Sequence, residues 1–150
     1  MTRLLPDARA IRRKGEWADA CDTVVLTYEE RMLRRKVLAT AQAKSVLVDL
    51  ARTTDLHHGD ALELEDGRLI EVVAAEEDLL AVTGDLVRLA WHIGNRHTPA
   101  QIEADRLLIR RDHVLRDMLD RLGATVEEVR APFTPEGGAY GHGRTHGHAH

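Results

Sequence analysis

Two stretches of this chain carry apolar residues at helical spacing, and each is flanked by strand-like segments. Thr83-Gly84-Asp85 supplies a turn and a helix N-cap, after which Leu86, Val87, Ala90 and Ile93 recur with a helical period. Gly94 offers a C′ stop, and Pro99 bars continuation. Asp112 caps a second amphipathic helix with Val114, Leu115, Met118, Leu119 and Leu122 on one stripe, ended by Gly123. Leu79 to Val82, Gln101-Ile102, Arg106 to Arg110 and Thr125 to Val129 read as strands around them. The resulting order, βαββαβ, is the split-βαβ or ferredoxin-like arrangement, expected over residues 75–132.

The residues before it have a different character. Thr23 to Thr27, Ser45 to Leu50, Ala61 to Leu64 and Leu69 to Val73 read as short strands. Asp66-Gly67 makes a hairpin turn between the last two. Residues 1–74 are therefore expected to form a small all-β module. Residues 133–150 are rich in Pro, Gly and His with no apolar period, and a segment of that kind cannot bury enough surface to offset its ordering entropy. The fold class is α+β, with a β-rich N-terminal domain, a ferredoxin-like domain and a flexible His-containing tail.

Several functions are excluded on composition. The chain has 150 residues and a formal net charge of −4, a poor basis for neutralising phosphates. RNA-recognition domains share the ferredoxin-like topology but stack bases on aromatics of the two central strands. Here those strands carry Leu79-Leu80-Ala81-Val82 and Leu107-Leu108-Ile109, with no aromatic, so no nucleic-acid partner is expected. No apolar run approaches the 18 or so residues that span a bilayer, and Met1 to Ala20 lacks a secretory apolar stretch. Cys21, the single cysteine, forms no intramolecular disulfide, so a cytoplasmic protein without a membrane partner is the default. No phosphate-binding loop, H-E-x-x-H or G-x-S-x-G motif is present, and no enzyme activity is expected. Arg34-Arg35-Lys36 and Arg110-Arg111 read as solvated strand faces.

Histidine is the informative residue. Four of the nine, His142, His146, His148 and His150, fall in the last nine residues at spacings of four, two and two. Neutral imidazole is a borderline ligand suited to Ni, Cu and Zn, and interspersed glycine lets the chain wrap an ion. The interspersed pattern favours native metal binding over a purification-tag remnant, which would be a homopolymer. His97 stands apart, just beyond a helix end in Trp91-His92-Ile93-Gly94-Asn95-Arg96-His97. A lone histidine supplies one ligand, but a two-fold dimer with His97 near its axis presents two. His57, His58 and His92 are read as structural.

Gly94-Asn95-Arg96-His97-x-Pro99-x-Gln101-Ile102, then Asp112-His113-Val114-Leu115-x-x-Met118-Leu119, then Pro132-Phe133-x-Pro135-Glu136-x-Gly138-Ala139-Tyr140, resembles the UreE family of urease accessory proteins. Upstream, Gly59-Asp60-x-Leu62-x-Leu64-Glu65-Asp66-Gly67-Arg68 is similar to the end of that family's N-terminal domain. The resemblance covers nearly the whole chain, less clearly its first twenty residues. It implies a nickel metallochaperone: a homodimer in which the two copies of His97 bind Ni(II), with the tail histidines as further ligands. Nickel would pass to the urease accessory GTPase and apo-urease for metallocentre assembly, and the absence of a phosphate-binding loop here fits that division of labour.

One departure concerns His113. Some family members carry a His-x-His pair at the start of the last helix, and here it reads Arg111-Asp112-His113. The arginine replaces one ligand and opposes a divalent cation, while Asp112 is also the obvious N-cap. His113 is kept as a candidate ligand. Ligand chemistry alone leaves two rivals, a general Zn, Cu or Ni buffer and a protein-binding adaptor of the maturation complex. Cu(II) outcompetes Ni(II) at most nitrogen sites, and Zn(II) binding in vitro is also expected; the family motif is what selects nickel.

Overall fold

The computed structural model describes residues 3–137. They divide into two compact units, one ending at Ala75 and one beginning at Glu76. The histidines of the tail lie outside the described residues.

In the first unit β1 (Arg3–Leu4), β2 (Ala8–Arg12), β3 (Asp22–Leu26), β4 (Met32–Ala39), β5 (Lys44–Asp55), β6 (Ala61–Leu64) and β7 (Leu69–Ala74) make one sheet. Its order is β1-β5-β2-β6-β7-β3, with β4 paired antiparallel to β5. Period-two patterning drives it: Ile70, Val72 and Ala74 of β7 are buried while Leu69, Glu71 and Val73 between them are half-buried. Val24, Leu26, Leu38, Val46, Val48, Leu62 and Leu64 complete the core.

One polar group organises the loops of this unit. Asp60 is buried and accepts from the Arg13 guanidinium at 2.7 Å, the Lys14 backbone N–H at 3.0 Å and the His57 N–H at 2.8 Å. It thereby ties the segment after β2 to the turn between β5 and β6. Beside it, the Trp17 indole N–H donates to the Gly59 carbonyl at 2.9 Å.

The second unit runs β8 (Glu76–Thr83), α1 (Leu86–Asn95), β9 (Gln101–Ile102), β10 (Leu107–Arg110), α2 (His113–Arg121) and β11 (Thr125–Pro132). The sheet order is β11-β8-β10-β9, every neighbouring pair antiparallel. This is the ferredoxin-like arrangement. Register sets Leu80 opposite Ile109 and Val82 opposite Leu107, and these four pack with Leu89 and Ile93 of α1 and Leu115 and Leu119 of α2. Both helices are capped by the expected residues. Asp85 accepts from the Arg88 N–H, and Asp112 from the Val114 and Leu115 N–H groups at 2.8 and 3.1 Å. Asp112→Ala should lower stability by about 1 kcal/mol, read as a shift in thermal midpoint.

Three expectations are corrected here. Val87, read at helical spacing with Leu86, Ala90 and Ile93, is 85% exposed, because Leu89 and Ile93 take the core positions with Leu86 and Ala90 packed beside them. Gly94 does not stop α1; the helix runs through it to Asn95. Phe133, assigned to the tail, is fully buried, so the ordered chain continues beyond Pro132. The basic run Arg34-Arg35-Lys36 lies in β4 with all three residues exposed, as a solvated strand face would.

Candidate functional site

The end of α1 holds the first candidate ligand in an unusual backbone conformation. His97 has φ of +55°, in the left-handed region, where an L side chain costs about 1–2 kcal/mol. The His97 N–H donates to the Gly94 carbonyl at 2.9 Å, and the Thr98 N–H reaches the Ile93 carbonyl at 3.4 Å. This nested pair is a Schellman stop with His97 as its C′ residue. The end of α2 repeats it: the Gly123 N–H donates to Asp120 and the Ala124 N–H to Leu119, with Gly123 at φ +83°. One helix thus stops on glycine, as such ends usually do, and the other stops on histidine. The motif fixes where the half-buried His97 leaves the helix. Pro99, two residues on, was the sequence signal for it, since proline commonly falls just after such a stop.

The loop after His97 carries a second feature that composition did not reveal. The Glu136 N–H donates to the Ala100 carbonyl at 2.9 Å. The Thr134 N–H donates to Gln101 Oε1 at 2.9 Å, and Gln101 Nε2 donates to Glu103 Oε2 at 2.8 Å. Glu103 in turn takes the Arg106 guanidinium at 2.6 Å, which raises the Arg106 pKa further above its ordinary value. The segment that leads into the tail is therefore held against Ala100 and Gln101, three and four residues beyond His97. With buried Phe133 it forms an anchor next to the loop.

His113 is the first residue of α2 and is exposed. It lines a hollow with Leu80, Arg111, Asp112, Arg116 and Glu128. Arg111 is committed structurally: its Nε donates to the Leu79 carbonyl at 3.1 Å and its Nη2 to the Val129 carbonyl at 3.0 Å. Arg116 lies 3.6 Å from Glu128, and Asp112 is occupied as the cap. Two guanidinium groups in the same hollow oppose a divalent cation beside His113.

His57, His58 and His92, like His97, have local partners. His58 Nδ1 accepts from the Ala74 N–H at 3.1 Å, which leaves the proton on Nε2 and no free lone pair for a metal while that bond holds. His57 Nε2 stands 3.7 Å from Asp55, and His92 meets Trp91 edge-on with centroids 5.0 Å apart. Among the described residues no three His, Cys, Asp or Glu side chains converge as a cation cage. Within those residues the chain thus offers His97 as one ligand at a defined position. Residues 142, 146, 148 and 150 fall outside them.

Models of the UreE urease accessory protein match the chain from end to end, the N-terminal domain over residues 1–75 and the C-terminal domain over residues 69–150. The chain is 70% identical over 147 residues to the urease accessory protein UreE of Ruegeria pomeroyi, covering 97% of this chain and 99% of that protein. It is 63% identical to the protein of that name from Cereibacter sphaeroides, covering 97% and 81%, and 58% identical to that of Rhodobacter capsulatus, covering 98% and 94%. With both domain models matched and relatives similar along almost their whole length, this chain belongs to the UreE urease accessory protein family.

Proposed function

We propose that this chain is a nickel metallochaperone of urease maturation: a non-catalytic cytoplasmic homodimer that captures Ni(II) and delivers it for assembly of the urease metallocentre. The carrying observation is the adjacency of two things in one loop: His97 at the helix stop, and the anchor of the segment leading to His142, His146, His148 and His150. From Glu136 to His142 is six residues, at most about 21 Å extended. To His150 is fourteen residues, at most about 50 Å extended. Ala100, where Glu136 is held, is three residues from His97, at most about 11 Å. All four tail imidazoles can thus reach His97 of the same chain.

Each protomer contributes one His97, and a two-fold axis brings two to one ion. Tail imidazoles complete the coordination and leave it again, so the ion exchanges onto a partner instead of being caged. The accessory GTPase and apo-urease are the recipients, with the β-rich unit serving contacts in that complex. The donor set is nitrogen only, suited to Ni(II) and open to Zn(II) or Cu(II) in vitro. Imidazole binds metal only when neutral, so metal binding competes with protons and weakens in acid. His113 remains a candidate ligand apart from this site, in a hollow that it shares with Arg111 and Arg116 and with the carboxylates of Asp112 and Glu128.

The test compares nickel titrations of the full chain, a chain ending at Tyr140 and Gln101→Ala. The truncated chain should keep one site per dimer with affinity lowered about 10–100-fold, and Gln101→Ala should fall between it and the full chain. Identical isotherms for all three would remove the tail from the site. Urease activation at limiting nickel separates delivery from storage: a mere buffer would leave it no better than no chaperone.

A further inference from the structure

The side-chain amide of Gln101 has a direction, and its neighbours set it. A carboxamide accepts at its oxygen and donates at its nitrogen, and the two ends have nearly the same shape. Gln101 stands between two groups that cannot exchange these roles. On one side its Nε2 donates to Glu103 Oε2 at 2.8 Å. On the other its Oε1 accepts from the Thr134 N–H at 2.9 Å, with Thr134 Oγ1 3.5 Å from the same oxygen. An ionised carboxylate only accepts, and a backbone N–H only donates. One orientation of the amide satisfies both partners, and the other satisfies neither.

Glu103 is itself held in place. Its Oε1 takes the Arg106 Nε at 2.6 Å, and its N–H donates to the Arg106 carbonyl at 2.9 Å across the turn between β9 and β10. Gln101, Glu103 and Arg106 are all half-buried. Beside them the Glu136 N–H donates to the Ala100 carbonyl, so residues 134–136 are held at β9, the last strand of its sheet.

We infer that Glu103 is a positioning residue for metal capture: its carboxylate, oriented by Arg106, fixes the polarity of the Gln101 amide and so holds the root of the His-bearing segment beside the His97 loop. The inference rests on the reading above in which tail histidines complete the His97 site. Glu103 touches no ion; it controls the length of a tether. With residues 134–136 held, six residues lead from Glu136 to His142. With them released, the last anchor is buried Phe133, nine residues before His142. Effective concentration falls roughly as the −3/2 power of tether length, a loss of about twofold at His142.

The test reverses charges in the full chain. Glu103→Lys sets a group that only donates against the Gln101 amide, which turns and brings Nε2 against the Thr134 N–H, donor facing donor. Without metal, exchange of the Thr134 and Glu136 amide protons, followed by NMR, should quicken at least tenfold. Nickel affinity should fall about two- to threefold. With His142, His146, His148 and His150 all replaced by alanine, Glu103→Lys should quicken exchange equally and leave affinity unchanged. Adding Arg106→Glu to Glu103→Lys restores an ion pair across the turn but no acceptor for Gln101, so both defects should persist. Adding Gln101→Glu as well supplies a side chain that accepts from both sides, and should restore slow exchange and affinity.

Unchanged exchange in Glu103→Lys, or full recovery on adding Arg106→Glu alone, overturns the inference and leaves Glu103 serving only the turn. Quickened exchange with unchanged nickel affinity also overturns it, as does an equal loss of affinity with and without the tail histidines. The chaperone reading survives all of these. Its tail-completed site fails in a different measurement, if isotherms of the otherwise wild-type chain are identical with and without the tail histidines.

Discussion

Replacing His97 by glycine should weaken nickel binding at least 100-fold and should leave the protein up to about 1 kcal/mol more stable than His97→Ala. The metal side follows from ligand loss: both imidazoles of the proposed dimer disappear, a larger change than substitutions behind the ligands, which cost 10–100-fold. The stability side follows from φ of +55° at this position. A side chain there costs about 1–2 kcal/mol, glycine relieves it, and the greater entropy of glycine in the unfolded chain returns about 0.5–1 kcal/mol. His97→Ala removes the same ligand but keeps a Cβ in the left-handed region, so it should bind as little nickel without the gain in stability. Calorimetric titration and thermal melts of the two variants separate the roles. Nickel affinity retained in His97→Gly would remove His97 from the site; a marked loss of stability would mean the imidazole serves packing instead.

The opposite fates of the two helix ends show what was legible. Asp112, the apolar stripe and Gly123 agree with one another, so α2 could be read from local rules, and its stop has Gly123 where the rule puts it. At α1 the same rule selects Gly94, three residues too early. Histidine in the left-handed region departs from local preference, and such departures collect at functional sites. Gly94 meets no atom among the described residues that would explain a glycine there. Strand β2, with the sequence Ala-Arg-Ala-Ile-Arg, and β4, with three consecutive cations, lack clean alternation; their pairing to β5 and β6 is a tertiary matter. Phe133 was hidden by its neighbours: a single aromatic among prolines and glycines carries no period, yet it is buried, and the anchor at Ala100 and Gln101 follows it. The family resemblance named His97 and the tail as ligands, but it could not say that the tail begins beside the His97 loop.

In the first unit the largest effect should come from Asp60. Its carboxylate takes three hydrogen bonds in a buried position, and two of the donors are backbone N–H groups of Lys14 and His57. Alanine there removes the charged acceptor of both part-buried bonds, at about 1.5 kcal/mol for each hydrogen bond to a charged group. The Arg13 ion pair adds little, because that guanidinium is 45% exposed and water takes over its charge. The sum is about 3 kcal/mol for Asp60→Ala, against about 1 kcal/mol or less for Arg13→Ala. Asp60→Asn keeps one oxygen and should fall between them. Trp17 is the reporter: its indole N–H is bonded to the Gly59 carbonyl next to Asp60, and in a Trp91→Phe background it is the only tryptophan. The urea midpoint of its fluorescence should drop by roughly 2 M in Asp60→Ala. A drop no larger than that of Arg13→Ala would show that the charge pair, not the capture of two backbone donors, is what Asp60 contributes. At a temperature between the thermal midpoints of Asp60→Ala and the wild type, where only the variant's β-rich unit is unfolded, urease activation should fall in the variant while nickel titration still finds the His97-dependent site.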